Sequence, residues 1–393
     1  MDHVCTISGV QLRYNFRVYP TPGQRQSLAK AFGCARVVFN DGLRLRQQAH
    51  ANGEPYIKDT DLQKQVITAA KKTEERAWLG EVSSVVLVQA LADLHTAYRN
   101  FFTSTTGGRK GPKVAAPRFR SRKDGRQSIR LTRNGFSLRP NGRLYVAKVG
   151  EIPVRWSRSL PSDPSSVTLT QDASGRYFAS FVVRTDPAEI LPETTGEIGI
   201  DLGLTHFAVF SDGRKVSSPK FLRRAGRKLK KAQQALSRKQ KGSANRTKAV
   251  ARVARLHAHI ADARRDHHHK LSTRLIRDNQ AVYVEDLAVS GLGRTRLAKS
   301  VHDAGWSQFL GMLEYKAGRF GRTFAKVDRW LPTSQTCSVC GVIDGPKPLQ
   351  VRTWTCGACD TDHDRDVNAA RIILAAGRAE RLNACGGAAS PSA

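Results

Sequence analysis

No run of about 18 apolar residues occurs anywhere in the chain, so the sequence offers no helix that could span a bilayer. The start of the chain, Met1 to Tyr19, is broken by Asp2, Arg13 and Arg17 and lacks the continuous apolar core of a secretory leader. Acidic residues are scarce. The chain has 33 Asp and Glu against 65 Lys and Arg, a formal net charge of +32 and a pI near 10.5. An excess of this size must be neutralised by a polyanion or borne as self-repulsion, and nucleic acid is the commonest such partner, with anionic lipid as the rival. No internal repeat is visible. These absences predict a cytoplasmic, nucleoid-associated protein with no membrane partner. At 393 residues and 40% hydrophobic content, the chain is long enough for two or more domains with buried cores.

The pattern changes several times along the chain. "LRYNFRVYP", Leu12 to Pro20, alternates as a strand does, and "TPGQ" after it reads as a helix start. Helical spacing then runs from about Gln24 to Phe102, interrupted by "ANGEPY". A basic Gly/Pro-rich linker leads to short alternating runs between Ile129 and Arg184, which predict a small antiparallel barrel or sheet. "PAEILPETTG", Pro187 to Gly196, marks a boundary. Beyond it come a strand, a tight turn and a second strand, then two long helices near Leu222–Lys239 and Asn245–Asp278. "QAVYVEDL" is a buried strand and "GWSQFLGMLEYKAGRFG" an amphipathic helix. The last residues, "GGAASPSA", have no core to bury.

Between Arg214 and Arg277 there are 21 lysines and arginines but only two acidic residues, Asp262 and Asp266. Ion pairs within the helices cannot neutralise such an imbalance, so these helices are read as a phosphate-contacting surface. Arg223, Arg224, Arg227, Lys228, Lys230, Lys231, Arg238 and Lys239 are the candidate contacts.

Three carboxylates stand where chemistry could use them. Asp201 ends the apolar strand of "IGIDLGLTH", although the same "GIDLG" opens actin-like ATPases and an Asp there can simply cap a turn. Glu285 ends the apolar strand of "AVYVEDL". Side-chain alternation allows only one of Glu285 and Asp286 to face a common site. Asp366 lies at the start of the helical pattern in "TDHDRDVNAARIILAAG", where an Asp can also be only an N-cap. Taken together, Asp, Glu and Asp from three distant segments fit a site for two Mg2+ or Mn2+ ions about 4 Å apart that clamps a phosphodiester.

The seven cysteines divide into a cluster and three scattered thiols, Cys5, Cys34 and Cys385, read as inert small hydrophobes. Cys337-x-x-Cys340 and Cys356-x-x-Cys359 have the spacing of a tetrahedral zinc ribbon, with Gly341 and Gly357 in the knuckle turns. Four thiolates leave no open position, so this zinc would be structural. His363 is surplus to the shell and reads as a local hydrogen-bonding group.

The stretches "FRVYPTPGQRQSLAKAFGCARVVFN", "GIDLGLTHFAVFSDG", "VEDL", "RWLPTSQTCSVCG" and "DRDVNAARII", in this order and spacing, resemble the TnpB (OrfB) family of transposon-encoded RNA-guided nucleases, relatives of the type V CRISPR effectors. The resemblance runs almost end to end and weakens the actin-like alternative, which explains neither the cysteine clips nor the last Asp motif. It implies an α/β and α+β multidomain chain: an RNase H-like RuvC nuclease with an inserted four-cysteine zinc ribbon, a β-barrel wedge and a helical recognition lobe. The implied divisions are wedge 1–20 and 116–190, recognition lobe 21–115, RuvC motifs I–II with the basic hairpin 191–332, zinc ribbon 333–362, RuvC motif III 363–380 and a disordered tail 381–393. The resemblance carries the catalytic, magnesium-binding triad onto Asp201, Glu285 and Asp366, with Asp364 as the substitute if the last register shifts. It implies a guide RNA derived from the transposon end, target double-stranded DNA, cutting beside a short transposon-associated motif, and one monomer per RNA. A nuclease-silent RNA-guided DNA binder, a transposase acting directly in strand transfer, and a miniature type V CRISPR effector are the alternatives.

Overall fold

The computed structural model describes residues 10–109, 111–185, 190–348 and 350–384. It forms two compact units that divide between Pro187 and Ala188.

In the first unit, β1 (Val10–Val18) is followed by α1 (Pro22–Ala51), α2 (Asp59–Gln63) and α3 (Ser84–Thr105). The expected helix start at "TPGQ" is a full capping box. The Thr21 hydroxyl accepts from the Gln24 amide and Gln24 Oε1 accepts from the Thr21 amide, with Pro22 at the first position. Next come β2 (Gln127–Thr132), β3 (Phe136–Leu138), β4 (Leu144–Val146), β5 (Gly150–Ile152), β6 (Val154–Arg155), β7 (Ser166–Gln171) and β8 (Tyr177–Thr185). They make a five-stranded sheet in the order β2-β7-β8-β1-β6 and a three-stranded sheet β3-β4-β5. β1 pairs antiparallel with β8 from Val10↔Thr185 to Val18↔Tyr177. The pairings among the described residues leave β2 and β6 at the two ends, so the barrel implied by the resemblance is not closed by backbone pairing. Cys34 is buried in this core and burial pushes its thiol up to about 11, which suits the inert reading. Cys5 and Cys385 lie outside the described residues.

The second unit is built on β9 (Glu197–Asp201), β10 (His206–Phe210), β11 (Lys215–Ser217), β12 (Ala281–Glu285) and β13 (Thr323–Val327), ordered β11-β10-β9-β12-β13. β9, β10 and β11 are antiparallel, while β12 runs parallel to both β9 and β13. Between β11 and β12 stand α4 (Phe221–Ser237) and α5 (Ala244–Asp278), close to the expected bounds. α6 (Val289–Leu292), α7 (Ala298–Ala304) and α8 (Trp306–Phe320) precede β13. One sheet face, with Ile198, Ile200, Val282 and Val284, packs with Leu275, Ile276, Phe309 and Leu313 of α5 and α8.

The other face meets the last helix, α9 (Arg365–Ala384). Two glycines set that approach. A Cβ on Gly199 would stand 2.1 Å from the Ala370 carbonyl oxygen, and one on Gly377 would stand 2.1 Å from the Tyr283 ring. Only glycine at both positions lets helix and sheet come so close. α9 continues through Ala384, so the part of the expected tail from 381 to 384 is helical; the remainder, 385–393, lies outside the described residues.

Candidate functional site

Strand alternation decides which carboxylates share a face. Ile198 and Ile200 point to the core face of β9, so Gly199 and Asp201 take the α9 face. In β12, Val282 and Val284 point to that core face, while Ala281 and Tyr283 join the cluster with Ile373 of α9, so Glu285 follows them. β9 and β12 are parallel neighbours with Ile200 opposite Val284, which brings Asp201 and Glu285 level at the same sheet end. The helix that rides on this face begins at Arg365, with Asp366 in its first turn.

Glu285 and Asp366 both lie near enough to act on Asp201. Part of the Asp201 surface is open to solvent, yet protein surrounds it closely. Burial pushes its carboxyl up to about 8, aided by the negative charges of Glu285 and Asp366. Burial also raises Glu285, opposed by a hydrogen bond from Thr333 Oγ1 to its Oε1 at 2.8 Å. Asp286, the neighbour in question, turns away and pairs with Arg329. Asp364 and Asp366 also divide their roles. Asp364 Oδ1 accepts from the Val367 amide at 3.0 Å and so caps α9, while its other oxygen pairs with Lys215. Burial alone would raise the Asp364 carboxyl, but those bonds hold it below the usual carboxylate range. The cap role open to Asp366 is therefore filled by Asp364. Asp366 instead faces Arg352 at 3.5 Å and contributes to the charge felt by Asp201.

Among the described residues, the set whose ligand atoms all lie within 4.8 Å of one another is Cys337, Cys340, Cys356 and Cys359; the carboxylates converge less tightly. The sulfur pairs Cys337–Cys359 and Cys340–Cys356 are 3.7 Å apart. A tetrahedron with zinc–sulfur bonds of about 2.3 Å has edges of about 3.8 Å, so the donor set fits zinc. The two knuckles repeat one hydrogen-bond pattern. The Cys337 amide donates to Val342 O and Gly341 N to Cys337 O; the Cys356 amide donates to Thr361 O and Asp360 N to Cys356 O. Gly341 has φ +78°, and Asp360, at the equivalent position, has φ +52°. Gly357 lies in the turn of the second knuckle, as expected, and the left-handed residue there is Asp360; Asp tolerates this region better than most residues. His363 is buried with Nε2 3.1 Å from Cys337 Sγ, a hydrogen-bonding distance that agrees with its surplus role.

The ribbon is coupled directly to the carboxylate face. β14 (Thr353–Thr355) pairs with β15 (Asp362–Asp364), which runs straight into α9. Asn368, fully buried two residues after Asp366, donates to the Thr336 carbonyl at 2.7 Å and accepts from the Ser338 amide at 2.9 Å. The first knuckle is therefore clipped onto the helix that carries Asp366. Nothing in the spacing marks Asn368 or Thr333, because their partners lie about 30 and 48 residues away in the chain.

All eight candidate cations of α4 and its C-terminal turn are exposed, and none forms an ion pair among the described residues. The N-terminus of α4 is fixed by buried Asp303, which accepts from the amides of Leu222 at 2.8 Å and Arg223 at 3.2 Å. That anchor leaves the basic face of the helix outward.

Family models match at three places: residues 180–296 to OrfB_IS605 ("Probable transposase"), 306–373 to "Cas12f1-like, TNB domain", and 8–55 to the OrfB_IS605 "Helix-turn-helix domain". A Streptomyces pristinaespiralis protein named as an RNA-guided DNA endonuclease is 45% identical over 97% of this chain and 92% of its own length. This chain belongs to the TnpB (OrfB) family. InsQ of Escherichia coli K12, also named as an RNA-guided DNA endonuclease, is 30% identical over 95% of this chain and 93% of its own. In fold, the chain is similar to the protein in a Cas12f1–guide RNA–target DNA complex, with a TM-score of 0.50 and 11% identity over 93% of this chain and 99% of that one. The TnpB-family chain thus shares the fold of that protein and carries a four-cysteine cluster. Among its described residues no helix is long and apolar enough to cross a membrane.

Proposed function

We propose that this TnpB-family chain is an RNA-guided DNA endonuclease with one hydrolytic site, formed by Asp201, Glu285 and Asp366. The observation that carries the reading is the convergence of the three carboxylates at one sheet end, where burial, aided by the charges of Glu285 and Asp366, raises Asp201. A half-buried group of three acids, with hard oxygen donors and mutual repulsion, suits Mg2+ or Mn2+. Two such ions supply the charge neutralisation and the activated nucleophile that phosphodiester hydrolysis requires.

The chain's own residues do the placing. Thr333 fixes the Glu285 carboxylate, the glycine-lined contact between α9 and the sheet fixes Asp366, and the zinc ribbon holds the start of α9 through Asn368. The ribbon takes no part in bond breaking, since its four thiolates would fill the zinc shell. The exposed cations of α4 serve phosphate contact, while pairing with a guide RNA reads the sequence. Both DNA strands would be cut in turn at the one site. The named relatives support RNA guidance, and retention of all three acids favours cutting over silent binding.

The experiment is purification of the protein with its co-expressed RNA, followed by incubation with matched target DNA and Mg2+. Wild type should yield RNA-dependent cleavage and Asp201→Ala none. Equal cleavage by the variant, or joined strand-transfer products without RNA, would overturn the reading.

A further inference from the structure

A single exposed apolar side chain is ordinary on a protein surface. What separates Trp330 from the others is its place and the rigidity of its loop. Its exposure, 84%, is the highest among the large hydrophobic residues described. It lies just past β13, between two residues that bond directly to the end of β12. On one side, Arg329 Nε donates to the Asp286 carbonyl at 3.0 Å and its guanidinium pairs with the Asp286 carboxylate. On the other, buried Thr333 donates to Glu285. The segment is also braced internally. The Trp330 amide donates to Asp328 Oδ1 at 3.0 Å, and the Leu331 amide to the Asp328 carbonyl at 3.2 Å. Leu331 packs inward against the cluster of Tyr283, Val327 and Ile373. The segment is therefore bonded to both Glu285 and Asp286, its aliphatic residue turned in and its indole turned out.

We propose that Trp330 is a stacking platform for one unpaired base of the DNA strand delivered to Glu285. The inference rests on the reading of Glu285 as part of a nuclease site. The chemistry of the occupant follows from the setting. A flat apolar ring carried on a braced loop beside the proposed phosphodiester-cutting site, on a strongly cationic chain, suits a nucleobase whose phosphates are gripped elsewhere. Stacking of this kind tolerates any base, because every base has a π face. It positions the strand so that the adjoining phosphate rests over the carboxylates, and it favours single-stranded DNA, since a paired base offers no free face.

The test uses the intact protein–RNA complex, matched target DNA and Mg2+, read as single-turnover cutting. Trp330→Ala should slow cutting by about 5- to 150-fold, the range expected for removing one base–aromatic stack. Trp330→Phe should retain most of the rate, and RNA-guided binding of the target should be unchanged in both. A series of targets carrying one abasic nucleotide, moved across the cut position, supplies the readout that a scaffolding role would not move. Wild type should slow at one such position, whereas Trp330→Ala should cut that target no slower than the intact one. Cutting by Trp330→Ala at the wild-type rate, or additive losses from the variant and every abasic position, overturns the inference alone. Absence of cutting by wild type overturns the nuclease reading and the inference with it.

Discussion

At the residue scale, the most informative group is Asp201, a carboxyl that the fold keeps protonated near neutrality when no cation is present. Its folded value of about 8 stands against about 4 in the unfolded chain. Between those limits the folded protein holds a proton that the unfolded chain has released. The stability this contributes is full below about pH 4 and is lost as pH rises toward 8. Asp201→Asn removes the titration. In metal-free protein the variant should match wild type near pH 4 and melt at higher temperature at pH 8. Added Mg2+ should reverse the order at pH 8, because cation binding stabilises only the chain with an intact site. Thermal denaturation across pH, with and without Mg2+, checks both statements; a difference between the proteins that ignores pH would contradict the burial and charge argument. Asp201, Glu285 and Asp366 stand out in the sequence itself, since two apolar strands ending in acids and an acid at a helix start are visible patterns. Asp364 and Asp366 are exchangeable at that level. The hydrogen bond from the Val367 amide separates them, and such a bond depends on where the helix begins, which periodicity locates only to within a few residues.

At the element scale, the ribbon and α9 behave as one piece. Cys356→Ser should lose zinc and loosen the whole segment, lowering both melting temperature and cutting. Asn368→Ala is the sharper probe, because it leaves all four sulfurs in place but strands the Ser338 amide and the Thr336 carbonyl. Zinc content, read by metal analysis, should stay at that of wild type while cutting falls by at least tenfold. Loss of zinc together with cutting would mean that Asn368 supports the ribbon rather than the helix. Elements with strong local signals are legible in the sequence: α4 and α5 from long helical spacing, α1 from its capping box, and the cysteine clips from spacing alone. α6, α7 and β11 are not, because they are short and take their form from neighbours. Asp303 on α7, which caps α4 from about 80 residues away, is such a neighbour. The second knuckle holds a detail that spacing does not mark. Gly357 lies in the turn, and the repeated hydrogen-bond pattern puts the left-handed position at Asp360.

At the scale of the whole molecule, the proposed function assigns gripping to the basic excess behind the +32 charge and cutting to the three acids. In that proposal the exposed cations of α4 serve the first task. A Lys230→Ala/Lys231→Ala pair should weaken RNA and target binding. It should also flatten the dependence of log affinity on log salt by about 0.9 for each duplex phosphate that is no longer neutralised. An unchanged slope would remove those lysines from the phosphate-binding surface. The strand order of the second unit is not legible in the sequence, since it depends on pairings between segments about 80 residues apart, such as β9 with β12. That pairing turns separate sequence motifs into one acidic site. The central claim, that Asp366 cuts but does not grip, is tested most directly by measuring bound and cleaved target in the same reaction. The comparison is between Asp366→Asn and Asp364→Asn, each purified with its RNA and given Mg2+. Asp366→Asn should bind target as wild type does and yield no product, while Asp364→Asn, whose amide oxygen can still cap α9, should bind and cut. Cutting by Asp366→Asn at the wild-type rate, or loss of its RNA-guided binding, would contradict the account.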